Sequence, residues 1–234
     1  MGYQTLQKAL RELADPAIAE HSARFFKTGK GQYAAGDVFL GVRVSPIRAL
    51  AKQYSTMPLK DTLKILSSKF HEERLLAVFL MVNSFARADK TLKQEIYTAY
   101  LENTHLINNW DLVDSSAHQI VGGYLMDKNR KPLKALSQST IMWERRIAII
   151  ATLHFIRERQ FADTLQLAKI LLNDSEDLIH KAVGWMLREV GNRDSETLKI
   201  FLKEHQRVMP RTMLRYAIEK FDPATRQTYL KGIA

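Results

Sequence analysis

The stretch Asn109-Trp110-Asp111-Leu112-Val113-Asp114-Ser115-Ser116 lies in the middle of an apolar pattern with helical spacing. Trp110 and Asp114 are four residues apart, so a helix would place the indole and the carboxylate one above the other on one face. Burying an unpaired carboxylate costs several kcal/mol, which is comparable to the stability of a small domain. We therefore expect Asp114 to reach solvent, to pair with a cation or to take part in chemistry.

Charged residues that open an apolar run recur along the chain at nearly constant spacing. These starts lie at Arg74, Asp111, Arg146, Lys181 and Arg215, and they are 37, 35, 35 and 34 residues apart. Repeats of about 34 to 47 residues are typical of stacked helix pairs, and no stretch keeps the two-residue alternation of a strand. The sequence predicts an all-α solenoid of antiparallel helix pairs with a concave binding face. We expect one domain over 1–234, with N-terminal helices over 1–57 and the repeats over 58–234.

The N-terminal segment contains recognisable helix starts and one loop. Apolar spacing predicts a helix from Tyr3 to Leu13, and Asp15-Pro16 is typical of a cap that opens a second helix ending near residue 27. The segment 28–37 holds three glycines and should be a loop, and it lacks the spacing of a phosphate-binding Walker A motif. Val38–Val42 is short and apolar, which suits a strand or an extended link. Ser45-Pro46 predicts a further helix that runs through Tyr54.

The composition favours a negatively charged partner. The 234 residues include 35 Lys and Arg against 25 Asp and Glu, a formal net charge of +10 at pH 7. A fold does not need this excess whereas a polyanion partner does, so nucleic acid is the leading partner, although lysines that merely solubilise the chain remain an alternative.

Other classes of protein and site are disfavoured by what the sequence lacks. No apolar run reaches the roughly 18 residues of a membrane span, and the N-terminus shows no apolar signal core. We expect a cytoplasmic protein, nucleoid-associated in a prokaryote, with no membrane contact. The absence of cysteine excludes disulfides, a thiol nucleophile and thiolate zinc sites, and the seven histidines form no metal-binding motif, so neither a metal nor a cofactor is expected.

Basic and aromatic residues are concentrated on the helices that the repeat would place on the concave side. Trp143 and Arg146 are three residues apart, as are Trp185 and Arg188, so each pair shares a helix face. A groove with cations and flat rings suits a nucleic-acid backbone. The basic residues better suited to backbone contacts or solvated charge than to catalysis are Arg145, Lys181, Arg188, Arg211 and Arg215.

Three motifs, in this order, resemble the AlkD family of DNA alkylation-repair glycosylases. They are Trp110-Asp111-Leu112-Val113-Asp114-Ser115, Trp143-Glu144-Arg145-Arg146-Ile147-Ala148-Ile149 and Lys181-Ala182-Val183-Gly184-Trp185-Met186-Leu187-Arg188-Glu189. A weaker similarity through Ala23-Arg24-Phe25-Phe26-Lys27 and Phe39-Leu40-Gly41-Val42 extends the resemblance to nearly the whole chain. The resemblance implies a HEAT-like, right-handed superhelix that acts in base excision repair. Its reaction would cleave the N-glycosidic bond of cationic alkylated purines, such as 3-methyladenine and 7-methylguanine, in duplex DNA.

The resemblance also implies roles for individual residues. The catalytic carboxylate falls on Asp114, the two active-site tryptophans on Trp110 and Trp185, and the active-site arginine, expected on a flanking phosphate, on Arg146. Phe25 stands where the family usually has a tyrosine, so the ring is kept and the hydroxyl is lost. Phe25 and Lys27 are candidate DNA contacts. The expected partner is double-stranded DNA with alkylated bases, bound by a monomer.

Each of these residues also has a structural alternative. The two tryptophans could be core aromatics, and Asp114 could cap or form a salt bridge, although Asp111 is better placed for a cap. Arg146 could pair with Asp114 or Glu144, and Trp143 is interpreted as structural. For the whole protein, the alternatives are a non-catalytic HEAT-like module that binds distorted or branched DNA and a protein-binding scaffold.

Overall fold

The computed structural model describes residues 2–232, and most of them are helical. The chain divides into two compact units, one up to Ile120 and the other from Val121 onward. Between residues 2 and 232 no β-strand forms, and only an isolated parallel bridge joins Val38 to Phe70. The all-α class predicted from the sequence is confirmed.

The first unit is built around one long buried helix. Its helices are α1 (Tyr3–Arg11), α2 (Pro16–Phe25), α3 (Val44–Gln53), α4 (Leu59–Leu66), α5 (His71–Arg87), α6 (Lys90–Glu102), a 3-10 turn (Thr104–Leu106) and α7 (Trp110–Asp114). Every residue of α5 from His71 to Met81 is buried, and this helix packs against α3, α4, α6 and α7. After four buried ionisable residues, His71 to Arg74, the apolar run from Leu75 to Met81 is buried on all sides, as expected of a helix at the centre of a core.

The predicted N-terminal features are largely found. The Asp15 side chain accepts hydrogen bonds from the amides of Ala17 and Ile18, which confirms the cap of α2. The segment 28–37 is a loop, and Val38–Val42 is an extended link that joins no sheet. The prediction that Ser45 caps α3 and Pro46 begins it was wrong by two residues, because the cap is the extended Arg43 and α3 begins at Val44.

One buried carboxylate at the start of α5 fastens the extended link. Glu72 accepts hydrogen bonds from the amides of Leu40, Gly41 and Val42 at 2.8, 2.8 and 3.3 Å. Gly41 has a φ of +82°, and a Cβ there would lie 2.0 Å from the carbonyl oxygen of Asp15. Only glycine permits this approach of the link to the start of α2.

The second unit is organised around α13. Its elements are α8 (Gly123–Leu125), α9 (Lys131–Ser137), α10 (Met142–Ala151), α11 (Leu153–Arg157), α12 (Ala162–Ile170), α13 (Asp177–Gly191), α14 (Ser195–His205), α15 (Arg211–Ala217) and α16 (Pro223–Lys231). Helix α13 packs most extensively against α15 and also against α10 and α14. A Cβ on Gly184 would lie 2.5 Å from the carbonyl oxygen of Met213, so glycine allows α13 and α15 to approach closely.

The stretch quoted at the outset does not form one continuous helix. Helix α7 ends at Asp114 after five residues, and a π-helix follows from His118 to Gly122. Single π-helical turns occur frequently at functional sites. Among the described helices, none is long and apolar enough to span a membrane.

Candidate active site

The helix α7 presents Trp110 and Asp114 one turn apart, as the sequence predicted. Asn109 caps this helix, since its side-chain oxygen accepts a hydrogen bond from the Trp110 amide. The prediction that Asp111 acts as the cap was wrong: Asp111 lies in the first turn and its carboxylate binds His71 at 2.8 Å. Both Trp110 and Asp114 are partly exposed, so neither belongs to the sealed core.

An aromatic cluster holds the Trp110 indole. The indole stacks on Phe26 with ring centroids 5.3 Å apart and planes 15° apart, and it lies in a T-shaped arrangement with Phe25 at a centroid distance of 6.1 Å. Phe26 also stacks on Phe39 at 5.1 Å. Phe25 itself is 59% exposed, which is unusual for a phenylalanine beside a core and leaves its ring accessible to a ligand.

A buried polar network lies beneath this cluster. His71 is 2% exposed and directs Nδ1 to Asp37 at 3.3 Å and Nε2 to Asp111 at 2.8 Å. Asp37 also accepts hydrogen bonds from Arg74 at 2.6 Å and from Asn109 at 3.1 Å. Burial alone would lower the pKa of His71, but its hydrogen bonds to Asp111 and Asp37 raise it to about 9. Burial would raise the pKa of Asp37, yet the bonds from His71 and Asn109 and the charge of Arg74 hold it below its usual value.

A second polar contact ties α7 from its other end. The buried Tyr100 hydroxyl lies 2.8 Å from Ser116 Oγ, and Ser116 Oγ donates to the Leu112 carbonyl at 2.7 Å. Because the serine proton is used there, Tyr100 is the donor to Ser116. Burial raises the pKa of Tyr100, the bond to Ser116 lowers it, and the negative charge of Asp114 raises it further. The Asp114 carboxylate is therefore within electrostatic reach of this phenol.

The predicted DNA contact Lys27 sits in an uncommon backbone conformation. It follows α2 with a φ of +57°, in the left-handed region. The Lys27 amide donates to the Arg24 carbonyl and the Thr28 amide to the Ala23 carbonyl, both at 3.2 Å, which is a Schellman motif. Glycine usually occupies this position, so the exposed lysine is held there despite a conformational cost.

In the second unit, Trp185 lies partly exposed on α13. Its indole N–H donates to Glu189 Oε1 at 3.3 Å, and Glu189 also binds Arg193 at 2.8 Å. On the same helix, Lys181 pairs with Asp177 at 2.8 Å. Arg188 of α13 pairs with Glu219, which lies in the turn after α15.

The remaining predicted residues of the second unit differ in exposure. Arg146 is 5% exposed, and its guanidinium donates to the Leu178 carbonyl. Arg145 makes two hydrogen bonds to the carboxylate of Asp174, at 2.6 and 3.1 Å. Trp143 is buried, as expected for a structural residue, whereas Arg211 and Arg215 on α15 are exposed.

Sequence reasoning missed the buried network around His71. The signal was present, since four ionisable residues, His71-Glu72-Glu73-Arg74, open the otherwise apolar run of α5. The sequence pattern indicated only the start of a repeat at Arg74, after a break between helices near His71. Over the described range of residues, no cluster of three or more His, Asp or Glu side chains is suited to hold a metal ion.

Comparisons with known proteins agree with this fold. The family model described as DNA alkylation repair enzyme matches residues 6–221. A solved structure described as a predicted DNA alkylation repair enzyme from Enterococcus faecalis superposes with a TM-score of 0.69 at 18% identity, covering 90% of this chain and 97% of that one. Two structures from Streptococcus mutans are also similar at 16% identity, AlkD2 with a TM-score of 0.56 and smu.31 with 0.53. They cover 94% of this chain and 97% and 99% of their own. No curated protein shows significant similarity to the chain.

Proposed function

Because the chain belongs to the DNA alkylation repair enzyme family, we propose that it is a DNA glycosylase that releases cationic alkylated purines from duplex DNA. The observation that carries the proposal is the geometry of α7. The carboxylate of Asp114 and the indole of Trp110 share one face, both residues are partly exposed, and the indole is braced from behind by Phe26.

The reaction needs only one carboxylate. A purine alkylated at N3 or N7 is already positively charged, so its bond to C1′ can break without a general acid. The bonding electrons go to the departing purine, which becomes neutral, and the positive charge moves to the sugar. Water then adds to C1′ and loses a proton. Sugar hydrolases that act on neutral leaving groups need a second carboxyl group to protonate them.

We assign to Asp114 the electrostatic stabilisation of the positive charge that develops on the sugar. Two opposite charges about 4 Å apart attract by about 4 kcal/mol at an effective dielectric constant of 20. A stabilisation of this size, made only in the transition state, accelerates the reaction by about a thousandfold.

The aromatic residues would bind the lesion and its sugar. Phe26 covers one face of the Trp110 indole, so the other face is the one offered to a cationic base or to deoxyribose. Cation–π contacts contribute about 0.5 to 2 kcal/mol each. We assign the same role to Trp185. Arg146 would bind a flanking phosphate, which requires its guanidinium to exchange the Leu178 carbonyl for the ligand.

Duplex binding would rest on basic and aromatic side chains that are exposed or partly exposed. Phosphate contacts fix the position of a protein on DNA and make its affinity depend on salt. The residues that we propose for this contact are Phe25, Lys27, Arg145, Lys181, Arg188, Arg211 and Arg215.

The test compares base release from methylated duplex DNA by the wild type and by Asp114→Asn. We expect the wild type to release 7-methylguanine and 3-methyladenine but neither uracil nor hypoxanthine, which are neutral lesions. Asp114→Asn should lower the rate of release by about 10² to 10³, as expected for the loss of one electrostatic stabiliser. Asp127→Asn, which also removes one carboxylate but from an exposed turn, should act like the wild type.

Three results would contradict the proposal. Equal release by wild type and Asp114→Asn would remove Asp114 from its role, and equal release of cationic and neutral bases would contradict the mechanism. Salt-dependent binding of distorted or branched DNA without release of any base would instead indicate the non-catalytic module.

A further inference from the structure

His71 occupies a buried position between two carboxylates of different segments. Asp37 comes from the loop before the extended link, and Asp111 comes from the first turn of α7. Neither carboxylate is adjacent to His71 in sequence, since the separations are 34 and 40 residues. The imidazole therefore joins the N-terminal loop to the short helix that carries Trp110 and Asp114.

The geometry defines the protonation state of this ring. Each ring nitrogen faces a carboxylate oxygen, and a carboxylate can only accept, so both nitrogens must donate. The ring is then an imidazolium. The charged groups that face one another in this cluster are His71 and Arg74 against Asp37 and Asp111, which gives two positive and two negative charges. Buried charges persist when they are paired in this way.

The same ring also supports the indole from below. It stacks on Phe39 at 4.7 Å with planes 26° apart and contacts Phe26 at 4.9 Å. Phe26 in turn stacks on Trp110. His71 thus contacts α7 in two ways. Its ring donates a hydrogen bond to the Asp111 carboxylate of α7, and its ring packs on Phe26, which stacks on the Trp110 indole.

We infer that His71 is a positioning residue, which as an imidazolium between Asp37 and Asp111 sets the orientation of Trp110 and Asp114. The inference deepens the proposed function and rests on it for its catalytic consequence. A five-residue helix has little stability of its own, so its direction must come from such tertiary contacts. Loss of the proton would set a lone pair of the ring against one carboxylate and release that contact.

The protonation of His71 can be followed in the wild-type protein, without any substitution. The raised pKa of His71, about 9, implies that the imidazolium is present at neutral pH and is lost only in alkaline solution. We would measure the His71 ring signals by NMR together with the three indole N–H signals, with Trp110 assigned from Trp110→Phe. We expect a midpoint near pH 9 and a matching shift of the Trp110 signal, while the buried Trp143 stays unchanged.

Variants then connect this geometry to catalysis. In His71→Gln, the Trp110 signal at pH 7 should move toward the wild-type position at high pH. The kcat for base release should fall about 10²-fold with little change in KM, as for a misplaced catalytic group. Asp111→Asn should reproduce the effect. His205→Gln is the matched control, because this partly buried histidine on α14 contacts Phe201 and Glu204 rather than α7.

Two outcomes would overturn the inference. One is a His71 midpoint near 6.5, the ordinary value for histidine. The other is a Trp110 signal that does not respond as His71 titrates. Both outcomes are measured by NMR and do not require catalytic activity. A wild type that releases no base would refute the proposed glycosylase, whereas the link between His71 and Trp110 would still be decided by the NMR titration. If His71→Gln fails to fold, the titration of the wild type still decides.

Discussion

The clearest quantitative test concerns Lys27, which holds the left-handed position after α2. Lys27→Gly relieves the steric cost of a side chain at a φ of +57°, about 1 to 2 kcal/mol. Glycine adds chain entropy to the unfolded state, which costs about 0.5 to 1 kcal/mol. We therefore expect the free energy of unfolding to rise by about 0.5 to 1 kcal/mol, measured by urea denaturation.

The same substitution should weaken DNA binding. Loss of one phosphate contact reduces the slope of log K against log salt by about 0.9. Lys27→Ala removes the charge but keeps a side chain in the left-handed conformation, so it should lower affinity equally while leaving stability near the wild-type value. The assay is binding to duplex DNA at several salt concentrations.

Arg159 offers a matched control for the stability argument. It follows α11 with a φ of +58° in the same motif, since the amides of Arg159 and Gln160 donate to the carbonyls of Ile156 and Phe155. Arg159 also donates from its guanidinium to the Arg193 carbonyl at 3.0 Å. Arg159→Gly loses that bond, so its gain should be near zero. A Lys27→Gly variant that is less stable than the wild type, or that keeps the full salt slope, would refute the reasoning.

Three further substitutions or conditions test the packing and the charge network. The pKa of His71 rises from 6.5 to about 9 on folding, so this residue contributes about 3 kcal/mol to the free energy of unfolding. The contribution is present below pH 6.5 and is lost as the pH rises through 9, and urea denaturation between pH 6 and pH 10 would measure the loss. Gly184→Ala should destabilise by about 1 to 3 kcal/mol, because the new methyl group meets the Met213 carbonyl, and a thermal shift assay measures this loss. Tyr100→Phe should cost about 1 to 2 kcal/mol because Ser116 loses its buried donor, whereas an unchanged urea midpoint would show that this bond contributes nothing.

Local signals in the sequence predicted local structure well. Asp15-Pro16 identified the start of α2 because capping depends on residues two and three positions away. The pairing of Trp110 with Asp114 followed from helical spacing alone. Asp111 was misjudged because the same spacing does not reveal that a histidine 40 residues earlier donates a hydrogen bond to its carboxylate.

Long-range contacts explain most of what the sequence could not predict. The His71 cluster joins segments separated by 34 to 40 residues, and the Tyr100 bond to Ser116 crosses a 3-10 turn between two helices. The end of α7 at Asp114 was also missed, because its apolar pattern continues into the π-helix that begins at His118. Tertiary packing overrides periodicity at such positions.

The charge pattern illustrates the same distinction between spacing and structure. Tryptophan and arginine three residues apart suggested phosphate-binding faces, yet Arg188 is paired with Glu219, and Arg146 is buried and donates to the Leu178 carbonyl. Arg145, beside Arg146, is paired with the nearly buried carboxylate of Asp174. A cation that is already paired with a carboxylate binds a phosphate less favourably. The carboxylate then loses its partner, and it also repels the phosphate because both are negatively charged. Exposed cations such as Arg211 and Arg215 carry no such cost. The net charge of +10 therefore indicates a polyanion partner, while the ion pairs determine which of the basic side chains can serve it.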